Sequence, residues 1–191
     1  MILARYLQLN LEKNKDDRLN KGHYIKQDVY VPASNWLVAA SLIGASILNF
    51  LPLQGEILLI CPDFLALTLA YWNINYPHKM GMSIAFGLGL MMDVGNTGVL
   101  GQHALAYCVV IYLTLVFGRR LRLFSPVKQA PQIGLVLLMM QWVIVLVAVL
   151  TDSLLPDWQY YLATVAGALL WVPVSYLFTL LLRQKPDPNA I

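Results

Sequence analysis

Residues 61 to 101 contain two long apolar runs that are joined by a short polar segment and carry one carboxylate each. Asp63 lies near the start of the first run, and Asp93 lies near the end of the second. An ionised side chain at the centre of a bilayer costs about 2.5–3.5 kcal/mol on insertion scales, so such residues are rare unless they face protein or water. If the two runs cross a membrane in opposite directions, both carboxylates lie at one depth. This arrangement predicts a polar layer that several helices share.

The composition is typical of an integral membrane protein. Of the 191 residues, 59% are hydrophobic and 12% are charged, whereas soluble domains average about 45–50% apolar and about 25% charged residues. A chain with so little polar surface cannot cover a soluble globule. Cys61 and Cys108 lie in apolar runs without the spacing of a metal or redox motif, so we interpret them as buried small side chains.

Six apolar segments predict an all-α polytopic membrane protein, built as a six-helix transmembrane bundle. The segments cover residues 36–51, 57–72, 80–94, 100–117, 133–150 and 160–182. A basic N-terminal tail at 1–35, a transmembrane domain at 36–183 and a short C-terminal tail at 184–191 are the predicted parts of the chain. Two prolines are predicted to kink helices: Pro62 would break the second helix, and Pro173 would bend the sixth near the middle of the membrane.

The basic residues predict the direction of the helices, because lysine and arginine collect in cytoplasmic loops. With six spans, all 13 Lys and Arg residues fall on one side, in the two tails, near Lys79 and in the loop 119–128. We therefore predict that both termini are cytoplasmic. Within that loop, Arg119, Arg120 and Arg122 are predicted to anchor the bundle at anionic lipid headgroups.

In this topology, further polar residues lie at the same depth in the membrane as the two carboxylates. Asn96, Gln102 and His103 follow Asp93, where the third predicted helix ends and the fourth begins. Three interpretations stay open: hydrogen bonds that lock the helices together, a pocket for a ligand or ion, and acid–base or metal chemistry. No nucleotide-binding, HExxH or GxSxG motif occurs in the sequence. We therefore predict no enzyme activity, no metal and no cofactor.

The order and spacing of several short motifs resemble the MreD family of rod shape-determining proteins. They are Leu51-Pro52, Pro62-Asp63, Tyr71-Trp72, Pro77-His78, Gly87-Leu-Gly-Leu-Met-Met-Asp93, Gly98-Val-Leu-Gly101, Ala104-Leu-Ala-Tyr107, Gln129-Ala130 and Leu170-Trp171-Val-Pro173. Together they extend over about residues 36–183. The resemblance implies an architecture similar to the substrate-binding subunits of vitamin transporters, which are six-helix bundles with an outward-facing pocket.

The resemblance also implies a function. It predicts a non-enzymatic scaffold in the bacterial inner membrane that helps position lateral peptidoglycan synthesis and maintain rod shape. The implied partners are MreC, the actin-like MreB, a peptidoglycan polymerase with its transpeptidase, and membrane lipid, without nucleic acid. The alternative is a small-molecule binding or transport subunit, whose outward-facing pocket would contain Asp63, Asp93, Asn96 and His103.

Reporter fusions at six positions, one in each predicted loop and in the C-terminal tail, test the topology. We expect the reporter to alternate between outside and inside, beginning outside, for fusions after Gln54, Pro77, Asn96, Ser125, Pro156 and Lys185. The measurement is the activity of two reporters that work on opposite sides of the membrane. An external signal after Ser125 would contradict the six-span topology, because basic residues flank that position.

Overall fold

The computed structural model describes residues 33–51, 61–96, 99–151 and 158–182. In these ranges the chain is helical and has no strand. The helices are α1 (Asn35–Asn49), α2 (Phe64–Asn75), α3 (Met82–Gly95), α4 (Gln102–Leu121), α5 (Pro126–Leu150) and α6 (Leu162–Leu182), with a 3₁₀-helix at Trp158–Tyr161. The prediction of an all-helical protein is confirmed for this part of the chain. Residues 1–32 and 183–191 lie outside it, so the predicted tails stay predictions.

The helices differ from the predicted segments mainly at their starts. α2 begins at Phe64 instead of near residue 57, because Cys61, Pro62 and Asp63 are not helical. Pro62 therefore lies ahead of the first turn of α2. α5 begins at Pro126, well before the predicted start at 133. Proline is favourable at the first helical position, because the N–H that it lacks would have no partner within the helix. α6 continues through Pro173, and the predicted bend there stays a prediction.

Three helical segments are long and apolar enough to cross a membrane within the described ranges: Gln102–Leu121, Pro126–Leu150 and Gln159–Leu182. α1 and α3 are shorter apolar helices. α2 has 12 residues, about 18 Å at 1.5 Å per residue, whereas a full span takes about 20 residues. Large apolar side chains are exposed along α1, α3, α4, α5 and α6. Such a surface suits lipid and not water, so the chain is a membrane protein.

α2 is the most buried helix of the bundle. All residues from 65 to 74 are buried, and α2 contacts α1, α4 and α6. Nearly all of its side chains are apolar, which suits this position, and its buried polar side chains Thr68 and Asn73 donate hydrogen bonds within the bundle. Aromatic rings fill the space between α2 and α6: the ring centroid of Phe178 lies 4.7 Å from that of Tyr71 and 5.5 Å from that of Trp72.

α1 and α2 run antiparallel and are joined at both ends. At one end Asn49, the last residue of α1, donates to Asp63 ahead of α2. At the other end Lys79, which follows α2, donates to the carbonyl of Ala33 and to Asn35 at the start of α1. We call the first the carboxylate end, defined by Asn49, Asp63 and Asp93, and the second the basic end, defined by Lys79 and residues 119–128.

The remaining helices continue this alternation. α4 and α5 are antiparallel, because Gln102 at the start of α4 donates to the carbonyl of Ile144 near the end of α5. Gln129 at the start of α5 in turn donates to the carbonyl of Leu121 at the end of α4. α2 and α4 are parallel, and α3 runs against both. Consequently the five Lys and Arg residues of the described ranges all lie at the basic end.

Gln129 joins α4, α5 and α6 at the basic end. Its Nε2 donates to the carbonyls of Leu121 and Phe124, each at 2.9 Å, and its Oε1 accepts the Nε1–H of Trp171 at 3.1 Å. The last carbonyls of a helix have no partner within the helix. A buried amide therefore satisfies the end of α4 and fixes the position of the fully buried Trp171.

α3 approaches the start of α4 closely because Gly89 has no side chain. A Cβ atom at this residue would lie 2.3 Å from the Cα of Ala104, a backbone atom that cannot swing aside. Gly87, two residues earlier on the same helix, has open space in the direction of its absent Cβ. Alanine at either position would therefore add the same helix propensity, but only alanine at residue 89 would disturb the packing of α3 on α4.

We expect Gly89→Ala to lower the thermal unfolding midpoint and Gly87→Ala to leave it unchanged or raise it slightly. Both variants gain about 1 kcal/mol of helix propensity, but only the methyl at residue 89 meets backbone. Overpacking of this kind costs about 1–3 kcal/mol. The midpoints are measured on purified protein in detergent, and equal values for the two variants would contradict the close packing of α3 on α4.

Candidate functional site

Asp63 connects three helices at the carboxylate end. It precedes α2, and its Oδ1 accepts the backbone N–H of Ala66 at 2.9 Å, which makes it the N-cap of that helix. The same oxygen accepts the Nδ2–H of Asn49 at 2.7 Å, and Oδ2 accepts the hydroxyl of Tyr107 at 2.7 Å. Asn49 also accepts the N–H of Phe64 at 3.0 Å. One carboxylate thereby holds α1, α2 and α4 together.

Asp93 caps a helix other than its own. It lies in the last turn of α3, and it accepts the backbone N–H groups of Gly101 and His103 at 2.8 Å each and that of Ala104 at 3.4 Å. The Nδ1 of His103 lies 2.8 Å from the same carboxylate. The first N–H groups of a helix lack intrahelical partners and form the positive end of its dipole. The start of α4 therefore compensates a carboxylate that is completely buried.

Gly101 allows the chain to turn into α4 beside Asp93. Its φ of 97° lies in the left-handed region, which residues with a Cβ rarely adopt. In this conformation its N–H points at Oδ2 of Asp93. The glycine, the carboxylate and the helix start form one structural unit.

Each carboxylate has its own set of donors. His103 bonds to Asp93, and Tyr107, one turn later on α4, bonds to Asp63; the two rings lie 6.0 Å apart between centroids. Two neighbouring anions repel each other. Here each one lies at a helix N-terminus, where the dipole favours negative charge. The structure therefore accommodates both carboxylates at one end of the bundle without a bond between them.

The other predicted members of the polar layer lie apart from this network. Gln102 faces α5, because its Nε2 donates to the carbonyl of Ile144 at 3.1 Å. Asn96 is the C-cap residue of α3 and is exposed. At the basic end Arg119 and Arg120 occupy the last turn of α4, and Arg122 is its C-cap. Cations are favourable at a helix C-terminus, while the predicted headgroup contacts stay a prediction.

A cavity of about 340 Å³ lies at the carboxylate end, between the ends of α1 and α3, the segment ahead of α2, the start of α4, and helices α5 and α6. Its polar lining consists of Asn49, Asp63, Asn96, His103, Gln141, Tyr160 and Thr164. The structure thus brings Asp63, Asn96 and His103 of the predicted pocket to one cavity. Asp93 is not among the lining residues, since both of its oxygens face the start of α4. In the described ranges, no group of three His, Cys, Asp or Glu residues is placed to hold a metal ion.

The sequence patterns do not predict several residues of the site. Tyr107 lies four residues after His103, and that spacing on a helix puts two side chains on one face, which is the one signal that points to it. Gln141 is the one amide in the apolar run 133–150 of α5, and it donates to the carbonyl of Tyr160 at 3.1 Å and accepts the hydroxyl of Thr164. Asn49 carries no signal beyond its position at a helix end.

The fold and the site define a helical membrane protein whose buried carboxylates and amides join neighbouring helices. Residues 33–181 match the family described as rod shape-determining protein MreD. The chain belongs to the MreD family, which confirms the resemblance of the sequence motifs. A rod shape-determining protein MreD of Haemophilus influenzae is 29% identical over 151 residues, covering 78% of this chain and 93% of the relative. No solved structure matches the chain.

We expect Tyr107→Phe to destabilise the bundle by about 1.5–3 kcal/mol, the usual contribution of a hydrogen bond to a charged group. The substitution keeps the buried ring and removes only the hydroxyl that donates to Asp63. Tyr112→Phe, at an exposed position on the same helix, is the control and should change little. Chemical unfolding of both variants in detergent gives the measurement, and equal stabilities would show that the bond to Asp63 contributes nothing.

Proposed function

We propose that this protein is a scaffold subunit of the cell-elongation machinery in the bacterial inner membrane. It helps position lateral peptidoglycan synthesis and so maintains rod shape, without catalysing a reaction. The observation that carries the proposal is the match to the MreD family across residues 33–181, which includes all six described helices apart from the last residue of α6. The buried polar groups support a structural role, because they bond to one another and to helix ends.

We also propose that the protein crosses the membrane six times and that both termini are cytoplasmic. Two features favour it: the alternating directions of the helices, and the collection of Lys79, Arg119, Arg120, Arg122 and Lys128 at one end of the bundle. Basic residues favour the cytoplasmic side. The carboxylate end and its cavity would then face the outer surface of the membrane.

The proposed partners are MreC, MreB and the peptidoglycan polymerase with its transpeptidase, in contact with lipid and without nucleic acid. Exposed apolar residues on α1 and α3 favour contacts within the membrane, among them Ile43, Ile47, Phe86 and Met91. A cytoplasmic basic end would lie on the side where an actin-like protein polymerises. These assignments follow from the family and not from a contact in this structure.

A small-molecule binding subunit is the second candidate, and the cavity is the observation that favours it. Its volume of about 340 Å³ falls within the range of small-molecule sites, about 300–1,000 Å³. Asp63, Asn96 and His103 line it together with apolar side chains, and such a combination of a few polar groups with apolar walls is typical of ligand pockets.

Complementation of a depletion strain separates the two functions. We expect depletion to convert rods into rounded cells and the wild-type gene to restore them. Ala163 lines the cavity without bonding to the network, so Ala163→Phe fills the space and leaves the hydrogen bonds of Asp63 intact. A scaffold should still restore rod shape and co-purify with MreC at wild-type levels. Val165→Phe, at an exposed position on the same helix, controls for the added ring.

The outcomes are distinguished by cell width, the amount of protein in the membrane and the recovery of MreC. Loss of rod shape by Ala163→Phe alone, at normal protein amount and normal MreC recovery, would favour the ligand-binding function. Rods that persist after depletion would contradict the shape-determining function itself.

A further inference from the structure

A second cavity of about 520 Å³ lies on the side of the bundle between α4 and α5. We call it the lateral groove; its principal lining residues are Leu113, Phe117, Arg120, Gln132, Leu135 and Met139. Among the described residues that line it, Arg120 and Gln132 are the only ones with a charged or amide side chain. Because α4 and α5 are antiparallel, these two lie together near the basic end, and Leu113 and Met139 lie together at the apolar end.

The lateral groove is shorter than the thickness of one lipid leaflet. Arg120 lies seven positions after Leu113 on α4, and Met139 lies seven positions after Gln132 on α5; each rise along the helix is about 10 Å at 1.5 Å per residue. One leaflet of the hydrocarbon core is about 15 Å thick. The groove therefore extends from the membrane surface at the α4–α5 loop into a single leaflet.

Arg120 lacks an acidic partner among the described residues, where the one ion pair joins His103 to Asp93. The sequence has no Asp or Glu between Asp93 and Asp152, so α4, α5 and their loop carry basic residues without a counterion of their own. Within the described part of the chain, the side chain of Gln132 makes one long contact, of 3.5 Å, to the carbonyl of Lys128. An anion from outside these helices would pair with Arg120 and complete the hydrogen bonds of Gln132.

A lipid chain fits this groove better than a transmembrane helix does. Close approach of two membrane helices relies on small residues at the contact. The walls of the groove are instead formed by long side chains, including Phe117, Leu135 and Met139. A flexible acyl chain can lie between such side chains without a close backbone contact.

We propose that the lateral groove binds an anionic phospholipid, with one acyl chain between α4 and α5 and the phosphate on Arg120 and Gln132. The planar guanidinium group of arginine matches the geometry of phosphate oxygens. Basic pockets between membrane helices recognise lipid headgroups by the same charge complementarity. This site is separate from the cavity at the carboxylate end and does not depend on the scaffold function.

Lipid binding to the purified full-length protein, counted by native mass spectrometry in detergent, tests the headgroup contact. Phosphatidylglycerol and phosphatidylcholine with identical chains are titrated separately. The wild-type protein should bind one phosphatidylglycerol in preference, and Arg120→Gln should reduce that preference about fivefold. Lys128→Gln, at an exposed cation of the same end that lies outside both the groove and the predicted anchor, should leave the preference unchanged. Equal losses in both variants would indicate a general charge effect and overturn the proposal.

The acyl chain contact requires a second pair of variants. Leu135→Trp fills the groove and should weaken the binding of both lipids, whereas Leu146→Trp, equally exposed on α5 but outside the groove, should weaken neither. Glycerol phosphate at millimolar concentration should not displace the lipid, because it lacks acyl chains. Displacement by glycerol phosphate, or equal binding by the two tryptophan variants, would overturn the proposal.

A photo-crosslink in intact membranes identifies the occupant directly. With a small diazirine amino acid in place of Met139, we expect a phospholipid adduct at the apolar end of the groove. An adduct with the N-terminal tail of the same chain or with another protein would overturn the proposal, since either would show a peptide occupant instead of a lipid.

Discussion

A carboxylate at the start of a helix is the interaction on which the packing of this bundle depends. Inside a membrane each unpaired backbone N–H costs several kcal/mol, since no water is present to satisfy it. An isolated buried carboxylate is also costly. Asp63 and Asp93 each resolve both problems with one contact, because the carboxylate accepts the free N–H groups at the start of α2 and of α4. Asp63 also joins the start of α2 to α1 and α4, through its bonds to Asn49 and Tyr107. Asp93 joins the start of α4 to α3, the helix on which it lies.

The two ends of the bundle carry opposite charge for a related reason. α2 and α4 are parallel, so their positive dipole ends lie together at the carboxylate end and their negative ends lie together at the basic end. Acceptors collect at the first, and donors collect at the second. At the basic end Gln129 and Lys79 donate to backbone carbonyls, and Arg119 and Arg120 occupy the last turn of α4. The arginines that indicate the topology thus also lie where they stabilise the end of α4.

The sequence predicts the helical class, the family and the position of both carboxylates at one end, because these depend on composition, motif order and alternation. It does not predict which donors each carboxylate finds. That choice depends on the rotation of each helix about its axis, and α2 is apolar on nearly every side, so periodicity does not define its rotation. Gln102 shows the consequence: it follows Asp93 closely in sequence, yet the first turn of α4 directs its side chain to α5.

The two carboxylates differ in how much of their bonding capacity the protein uses. A carboxylate accepts about four hydrogen bonds. Asp93 receives four donors and is completely buried, so its bonding is used up in fixing α3 on α4. Asp63 receives three and also lines the cavity. A substitution of Asp63 therefore alters helix packing and cavity chemistry together, and only residues that line the cavity without bonding to Asp63 can separate the two.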